Sequence, residues 1–469
     1  MAARTVARTA AQVTTAVPMA ARTAAQVTTA ARTAEQTVAQ ATDLAVEPGA
    51  APAEGGTGDR PALRRCTHVE PAEFAASVWG RRASLSPREL LPGGFADLLD
   101  PAAVDTLLSR RGLRTPFLRV ARDGRTLPEA RFTRPGGVGA AIGDQADDAA
   151  LTRHFAEGST IVLQGLHRTH EPVLAFVQAL AADLGHPVQA NAYVTPPQNQ
   201  GFAAHYDVHD VFVLQVGGEK RWTVHEPVLP HPRRDQPWTG RRAAVEAAAA
   251  REPLLDVVLR PGDALYLPAG FLHSAQALGE TSIHLTLGVH VWTRAHLLAA
   301  LVARLGDVED LRTPLPLGVD VTDPAALAPA LAAVVAALGG AAPGVTAGDV
   351  APDLGRQAAA ATRAEPVAVL AQARAVDAVD LWTRLRWRRG LAADLTSTTG
   401  DDGVPGLRIR TPETTVTVHA AAADAVRRLL AGDVLAVAAL GTGPEGPVED
   451  AERLELARVL LRSALVVPQ

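Results

Sequence analysis

Hydrophobic and polar positions change their spacing along the chain, and these changes separate helices from short strands. Glu171–Leu184 has apolar residues at helical spacing and ends before Gly185, which predicts a helix. Several later segments are short, rich in β-branched residues and separated by Pro-Pro, Gly-Gly, Pro-Gly and Ala-Gly turns. Many short strands divided by such turns are typical of a β-sandwich or barrel. The predicted strands are 160–163, 189–194, 210–216, 221–224, 256–259, 264–267 and 281–291.

Helical patterns return after this strand-rich region. Apolar residues at helical spacing predict two helices, one carrying Leu297, Leu298, Leu301, Val302 and Leu305, the other Leu327, Leu331, Val334 and Leu338. These two apolar helix faces offer more apolar surface than a short connector needs, so we expect them to form a homodimer interface. The alternative is that both faces pack on their own barrel.

The last part of the chain combines predicted helices with a small sheet, which indicates a winged-helix-like α+β domain. A helix is expected over 376–391, carrying Leu381, Trp382, Leu385 and Trp387. Further helices are expected at 420–430 and 449–461, and strands at 407–409, 415–419 and 465–467. The resulting domains are 1–62, 63–292, 293–375 and 376–469.

The first 62 residues are predicted to be a disordered repeat followed by a linker. The stretch RTAAQVTTA occurs at 8–16 and again at 22–30, and large apolar side chains are scarce around it. Such a composition cannot bury enough surface to offset the entropy lost on ordering. A transit peptide and a true start at Met19 remain alternatives, whereas a secretory signal is not expected.

Charge and cysteine content exclude several functions. The chain has 469 residues and a net charge of −5, which argues against electrostatic binding of nucleic acid. From 378 to 469 there are 11 Arg against 12 Asp and Glu, so a DNA-reading role for this domain is not expected either. The single cysteine, Cys66, excludes an internal disulfide and a thiolate zinc site. The Arg-rich composition indicates a bacterial protein, expected in the cytoplasm, in which Lys220 is the only lysine.

One uncharged stretch, 324–348, is long enough to span a bilayer. It is rich in Ala, contains Pro329 and Gly339, and follows a candidate N-cap residue, Asp323. We therefore predict a buried helix of a soluble protein that ends near Gly339, and no membrane association.

Two histidines and one carboxylate form a candidate metal site on the predicted strands. His205 and Asp207 are two residues apart, so both face one side of an extended segment. The stretch 261–273 reads PGDxxYxPxGxxH: a turn, a strand, a second turn, and His273 at the start of the return strand. A facial triad of two His and one carboxylate is typical of non-haem Fe(II) oxygenases. His209 is in phase with the first two residues, and we interpret it as a decoy.

At these positions the sequence resembles the Jumonji C (JmjC) oxygenases, and among them the ribosomal oxygenase group. The resemblance implies a cupin-like jelly roll (double-stranded β-helix), then a helical dimerisation segment and a winged-helix-like domain. It extends from about 63 to 291. The matching blocks are NAYVTP at 191–196, HYDVHDVFVLQVGGEKRW at 205–222, PGDxxYxPxGxxH at 261–273 and SIHLT at 282–286.

The resemblance also assigns candidate roles. It implies Fe(II) on His205, Asp207 and His273, with 2-oxoglutarate and O2 as co-substrates. It places 2-oxoglutarate against Lys220, just past a predicted Gly-Gly turn. A lysine in an otherwise Arg-rich chain indicates a site that accommodates a compact point charge better than a planar guanidinium. Further co-substrate contacts are expected from Asn191 and Tyr193, and from His284 and Thr286. Gly288 departs from the family, whose members often carry a hydroxyl near that position.

We therefore expect an Fe(II)- and 2-oxoglutarate-dependent dioxygenase that hydroxylates a protein side chain, an Arg or His of a ribosomal protein. Acidic residues near the site should steer a basic substrate, and the candidates are Asp210, Glu219 and Glu226. One alternative is hydroxylation of a small molecule or peptide natural product. The other is a cupin that binds a metal as a scaffold without turnover.

Overall fold

The computed structural model describes residues 59–122, 124–199, 203–399, 403–443, 446–447 and 449–469. Most of the predicted disordered repeat, 1–58, lies outside these residues, so that expectation stays a prediction.

Short helices surround a set of strands between residues 60 and 292. The helices are α1 Pro61–Cys66, α2 Pro71–Glu73 with a π-helical turn Phe74–Val78, α3 Pro101–Arg110, α4 Asp148–Ala156, α5 Leu166–Thr169, α6 Glu171–Leu184 and α7 Arg242–Ala249. The strands are β1 Ser84–Ser86, β2 Leu118–Arg122, β3 Arg125–Thr126, β4 Thr133–Arg134, β5 Gln145–Ala146, β6 Thr160–Leu163, β7 Val188–Thr195, β8 Asp210–His225, β9 Leu255–Leu259, β10 Ala264–Leu267 and β11 Leu272–Val289.

Nine of these strands form one antiparallel sheet in the order β1-β10-β8-β11-β7-β6-β2-β3, with β9 also paired with β8. The first half of β8 pairs with β10 and its second half with β9. β11 pairs with β8 along nearly its whole length, and its second half also pairs with β7. Because β8 and β11 change neighbours midway, the sheet has an outer face and a polar interior, as in a cupin-like jelly roll.

Local sequence explains the elements that frame this interior. α6 buries Val173, Val177 and Leu180, and Gly185 ends it with a φ of +70°. β6 and β10 are buried along their whole length, which fits uninterrupted apolar strands covered on both sides. The predicted boundaries of α6, β6 and β10 are confirmed.

The predicted Gly-Gly turn between 216 and 221 is wrong, because β8 runs without a break from Asp210 to His225. Gly218 has a φ of +59°, and an added Cβ would lie 2.2 Å from the Thr281 carbonyl oxygen. The glycine pair thus permits a register shift against β11, not a reversal of the chain. Lys220 consequently lies in the middle of a long strand.

The segment after the sheet is helical, with α8 Arg294–Leu305, α9 Pro324–Ala341 and α10 Ala347–Ala361. α9 begins at the predicted N-cap, where the Asp323 carboxylate accepts a hydrogen bond from the Ala325 amide. The expectation of a buried helix is wrong, since no residue of α9 is buried within the chain. Pro324–Gly344 is the one helix of the described residues that is long and apolar enough to cross a membrane, by length and composition alone.

The C-terminal part is an α+β unit with its own core. Its helices are α11 Val369–Ala378, α12 Ala423–Leu430 and α13 Asp450–Arg462. Its strands are β12 Arg384–Trp387, β13 Asp394–Thr399, β14 Pro405–Arg410, β15 Thr415–His419, β16 Val434–Ala436, β17 Thr442–Gly443, β18 Gly446–Pro447 and β19 Val466–Pro468.

The single helix expected over 376–391 is wrong, because α11 ends at Ala378 and β12 follows. Leu385 and Trp387 are buried on one side of β12, which is an alternation of period two. Trp382 is exposed in the turn between α11 and β12. The winged-helix description of this unit stays a prediction.

Candidate metal and co-substrate site

Backbone hydrogen bonds bring the two halves of the predicted metal motif together. The His205 amide donates to the His273 carbonyl oxygen at 3.0 Å, and the His273 amide donates to the His205 carbonyl oxygen at 2.8 Å. The Gly270 amide donates to the Asp207 carbonyl oxygen at 2.9 Å. A Cβ at position 270 would lie 2.3 Å from the Leu229 carbonyl oxygen, so this turn requires glycine. The PGDxxYxPxGxxH stretch therefore aligns the segment that carries His205 and Asp207.

The side chains of His205, Asp207 and His273 form a compact ligand set. Their ligand atoms all lie within 4.8 Å of one another. The Nδ1 atoms of the two imidazoles contact backbone carbonyl oxygens, of Ala203 at 2.8 Å and of Phe271 at 3.0 Å. A protonated Nδ1 that donates to a carbonyl leaves Nε2 as the lone-pair nitrogen, which is the arrangement of metal-bound histidines. The predicted triad is thus assembled with its donor atoms converging.

The electrostatics of the triad favour the forms that bind a metal. Burial lowers the pKa of His273 to about 4, and the neighbouring His205 contributes in the same direction. Burial alone would raise the pKa of Asp207, but the nearby His209, His273 and His205 outweigh it and lower this pKa. At neutral pH the site therefore offers a neutral imidazole at His273 and a carboxylate at Asp207, as a divalent cation requires.

Lys220 is a buried cation beside the triad. Its side chain is 3% exposed, and its Nζ donates to Thr195 Oγ1 at 3.1 Å and lies 3.5 Å from His284 Nδ1. Among the described residues, no carboxylate lies within ion-pair distance of this ammonium group. Burial lowers its pKa to about 7. A buried ammonium group without a counter-ion is expected to have an anionic ligand.

The triad and Lys220 line one cavity, whose empty volume of about 520 Å³ includes space open to solvent. Tyr193 and His284 also line it, with their rings stacked at a centroid distance of 4.9 Å. Thr286 is a further lining residue, as predicted. Asn191 does not line it, and its Oδ1 accepts a hydrogen bond from the Gly165 amide at 3.0 Å.

Sequence reasoning missed the polar and aromatic residues Thr160, Thr195 and Trp222 at this site. Thr160 lines the cavity, and its hydroxyl donates to Thr195, which in turn accepts from Lys220. Trp222 both packs in the core and lines the cavity. Period-two alternation from Tyr193 and Lys220 would have placed Thr195 and Trp222 on the inner face of their strands.

His209 does not belong to the ligand set, in agreement with its interpretation as a decoy. Its ring stacks on His290 at a centroid distance of 5.3 Å. It also lies against Gly288.

The acidic residues expected to steer a basic substrate have other contacts. Asp210 is buried, and its carboxylate accepts hydrogen bonds from the Tyr266 hydroxyl and the Ala269 amide. Glu219 forms an ion pair with Arg260. Asp210 is therefore a structural residue, and the expectation that it faces a substrate is wrong. Glu226 is exposed, and its role stays a prediction.

The JmjC domain family matches residues 168–297 of this chain. Ribosomal oxygenase 1 of Gallus gallus is 33% identical over 218 residues, which are 46% of this chain and 34% of that protein. The bifunctional lysine-specific demethylase and histidyl-hydroxylase NO66 of Drosophila persimilis is 43% identical over 104 residues, 22% of this chain and 14% of that protein. The chain thus spans about a third or less of the length of these relatives.

A solved structure of YcfD, a ribosomal oxygenase from Escherichia coli, in complex with cobalt and 2-oxoglutarate, aligns with 86% of this chain and 98% of its own. The sequence identity is 17% and the TM-score is 0.49. The segment that matches the family includes all residues from α6 to His273, and these carry the triad and Lys220. Residues 168–297, which include the triad and Lys220, therefore match the JmjC domain family.

Proposed function

We propose that this chain is an Fe(II)- and 2-oxoglutarate-dependent oxygenase that hydroxylates a side chain of a protein. The observation that carries the proposal is that one cavity holds a two-His, one-carboxylate triad and a buried lysine with no carboxylate partner among the described residues. Fe(II) prefers such a triad, which leaves coordination positions open. The distal carboxylate of 2-oxoglutarate needs a cation within reach of the metal, and Lys220 supplies it.

Each residue of the cavity has a task in this proposal. His205, Asp207 and His273 would hold the metal, which when bound supplies O2 activation with 2-oxoglutarate as the electron donor. Lys220 binds the far end of the co-substrate, and the hydroxyl of Thr195 holds its Nζ in place. The stacked rings of Tyr193 and His284 form one wall of the cavity. The overall reaction converts 2-oxoglutarate and O2 to succinate and CO2 and adds one oxygen atom to a substrate C–H bond.

The substrate class we propose is an Arg or His side chain of a ribosomal protein. The support is the sequence relationship to ribosomal oxygenases and to a histidyl-hydroxylase. A separate C-terminal unit with its own core provides surface that a small-molecule hydroxylase would not need. We further propose that the chain acts in the bacterial cytoplasm, without a membrane or nucleic acid as partner.

The experiment supplies the purified protein with Fe(II) and 2-oxoglutarate and measures succinate. Peptides of ribosomal proteins with exposed Arg or His are then tested for the mass of one added oxygen. Succinate formation with a hydroxylated peptide supports the proposal in full. Hydroxylation of a free amino acid or peptide natural product instead would assign a small-molecule substrate. Metal binding without any turnover would identify a scaffold and contradict the proposal.

A further inference from the structure

Gly288 leaves a slot that the ring of His209 fills. Gly288 lies on β11, opposite Val211 of β8 and Gln189 of β7. A Cβ at position 288 would lie 2.5 Å from His209 Nε2 and 2.6 Å from its Cδ2, far inside van der Waals contact. Gly288 is not among the glycines with a positive φ. Glycine is therefore needed here for space and not for backbone conformation.

Two other side chains close the slot around the imidazole. The Gln189 side-chain nitrogen lies 3.3 Å from His209 Nε2, and the His290 ring stacks at 29° to the His209 ring. His209 Nδ1 is buried and has no hydrogen-bond partner in the described part of the chain. The ring is thus held by contacts from β7 and β11 and from the residue that follows β11.

The neighbouring Asp207 carboxylate has no comparable support of its own. In the described part of the chain no N–H or O–H group donates to it, and His273 Nε2 lies 3.9 Å from it. Its backbone is held by the Gly270 amide, which donates to the Asp207 carbonyl oxygen at 2.9 Å, and on the N-terminal side by the paired backbone groups of His205 and His273. On the other side the chain is fixed by the seated ring of His209, two residues further on. The electrostatic influence of His209 on Asp207 is consistent with their closeness.

We propose that His209, seated over Gly288, is a positioning residue that holds the Asp207 carboxylate in its metal-binding orientation. The inference rests on the proposed function only in taking Asp207 as a metal ligand. Because His209 and Asp207 are joined by a single intervening residue, a displaced ring changes the backbone that aims the carboxylate. Support of this kind beyond the ligands typically affects metal affinity by about 10–100-fold.

The test measures Co(II) binding by its visible absorption, without 2-oxoglutarate or substrate. Gly288→Ala is expected to weaken Co(II) binding by about tenfold or more, because the new Cβ expels the ring. His209→Ala removes the same support, so it is expected to weaken binding as well. The double variant is expected to bind no more weakly than the worse single variant, since the alanine at 288 has nothing left to displace.

Gly217→Ala is the matched control, a strand glycine of β8 at which a Cβ would meet Ile283 at an ordinary 3.8 Å. It is expected to bind Co(II) as the unaltered protein does. Melting of the metal-free proteins reports folding, and His209→Ala tests the inference if Gly288→Ala does not fold. Unchanged affinity in Gly288→Ala, or losses that multiply in the double variant, would overturn the inference. Variants that behave as expected in a protein without 2-oxoglutarate turnover would uphold it while the proposed function fails.

Discussion

The interior of the barrel and the surface of α9 depart from the usual distribution of polarity in opposite directions. Inside the barrel, Lys220 and His284 are each 3% exposed, although a charged or titratable side chain is normally solvated. On α9, Leu331 is 62% exposed and Val335 is 61% exposed, although large apolar side chains in such a continuous face are normally covered. Each region is unfavourable as it stands in the isolated chain.

The two regions differ in how specific their missing partner must be. The barrel presents a cation, three metal ligands and a cavity of fixed size, so geometry and charge restrict what can fill it. The face of α9 presents only apolar area, which any complementary apolar surface can cover. Chemistry can therefore be argued from the barrel, whereas for α9 the interface between two copies of the chain stays a prediction from the sequence.

Loss of a triad ligand is expected to have the largest effect. Asp207→Ala leaves only two imidazole ligands, so Fe(II)-dependent succinate formation is expected to fall by more than about 100-fold. His205→Ala should behave alike, and metal-free melting should show that both variants fold. Near-normal turnover in both variants would contradict the iron assignment and place the metal elsewhere.

The second effect concerns the cation of the barrel. Lys220→Ala removes the partner of a desolvated carboxylate, which typically costs about 2–5 kcal/mol. The apparent KM for 2-oxoglutarate is therefore expected to rise by about 30-fold or more. Arg221→Ala is the matched control, because Arg221 is the next residue on β8 but is exposed and paired with Asp256. An unchanged KM in Lys220→Ala would move the anchor to another residue.

The site could be predicted from sequence where the chemistry is encoded by short spacings. His205 and Asp207 are two residues apart, and His273 ends a turn–strand–turn pattern whose proline and glycine positions fix its path. Helix α6 and strand β6 were predicted with their correct ends, because a C-terminal glycine and a run of β-branched residues are local signals.

The errors arose where partners distant in sequence decide the structure. A glycine pair predicts a turn unless another strand, here β11 at Thr281, approaches too closely for a side chain. The segment 376–391 contains apolar residues at both helical and alternating spacing, and pairing with β16 and β19 selected the strand. Asn191 was expected at the co-substrate, but Gly165, which sequence alone does not bring near, binds its amide oxygen.

The third effect is a pH dependence of co-substrate binding. Burial lowers the pKa of Lys220 to about 7, so in the free protein this group loses its charge as the pH rises through neutrality. Below that pH the charged form dominates, and the KM for 2-oxoglutarate is expected to be flat. Above it, the KM is expected to rise by up to about tenfold per pH unit.

Two ligands of the triad, His273 and Asp207, keep their charge over this pH range. The pKa of His273 is about 4 and that of Asp207 is lowered, so neither changes charge between about pH 6.5 and 9. The Lys220→Ala variant serves as the control and should show a high but pH-independent KM. A KM that rises equally in that variant would assign the pH dependence to a group other than Lys220.

The smallest effect on folding is expected at α9. Leu331 and Val335 are four residues apart and share one exposed face of the helix, so replacing both with Asp removes apolar area without touching the core. The free energy of unfolding of the monomer is expected to change by no more than about 0.5 kcal/mol. The proposed homodimer is expected to dissociate, because two charges per copy would be buried at the interface. Light scattering at micromolar concentration measures this as a halving of the mass.

Leu254→Asp is the control for this variant, since Leu254 is an exposed leucine beside the barrel and not on α9. It should leave the mass unchanged. A monomeric unaltered protein would contradict the dimer, and sedimentation of that monomer with lipid vesicles would assign the apolar face of α9 to a membrane. A dimer that survives both Asp substitutions would place the interface outside this face, and the exposure of Leu331 and Val335 would then require a different partner. This result shows whether a second copy of the chain covers the apolar face of α9, as 2-oxoglutarate is proposed to balance the charge of Lys220 in the barrel.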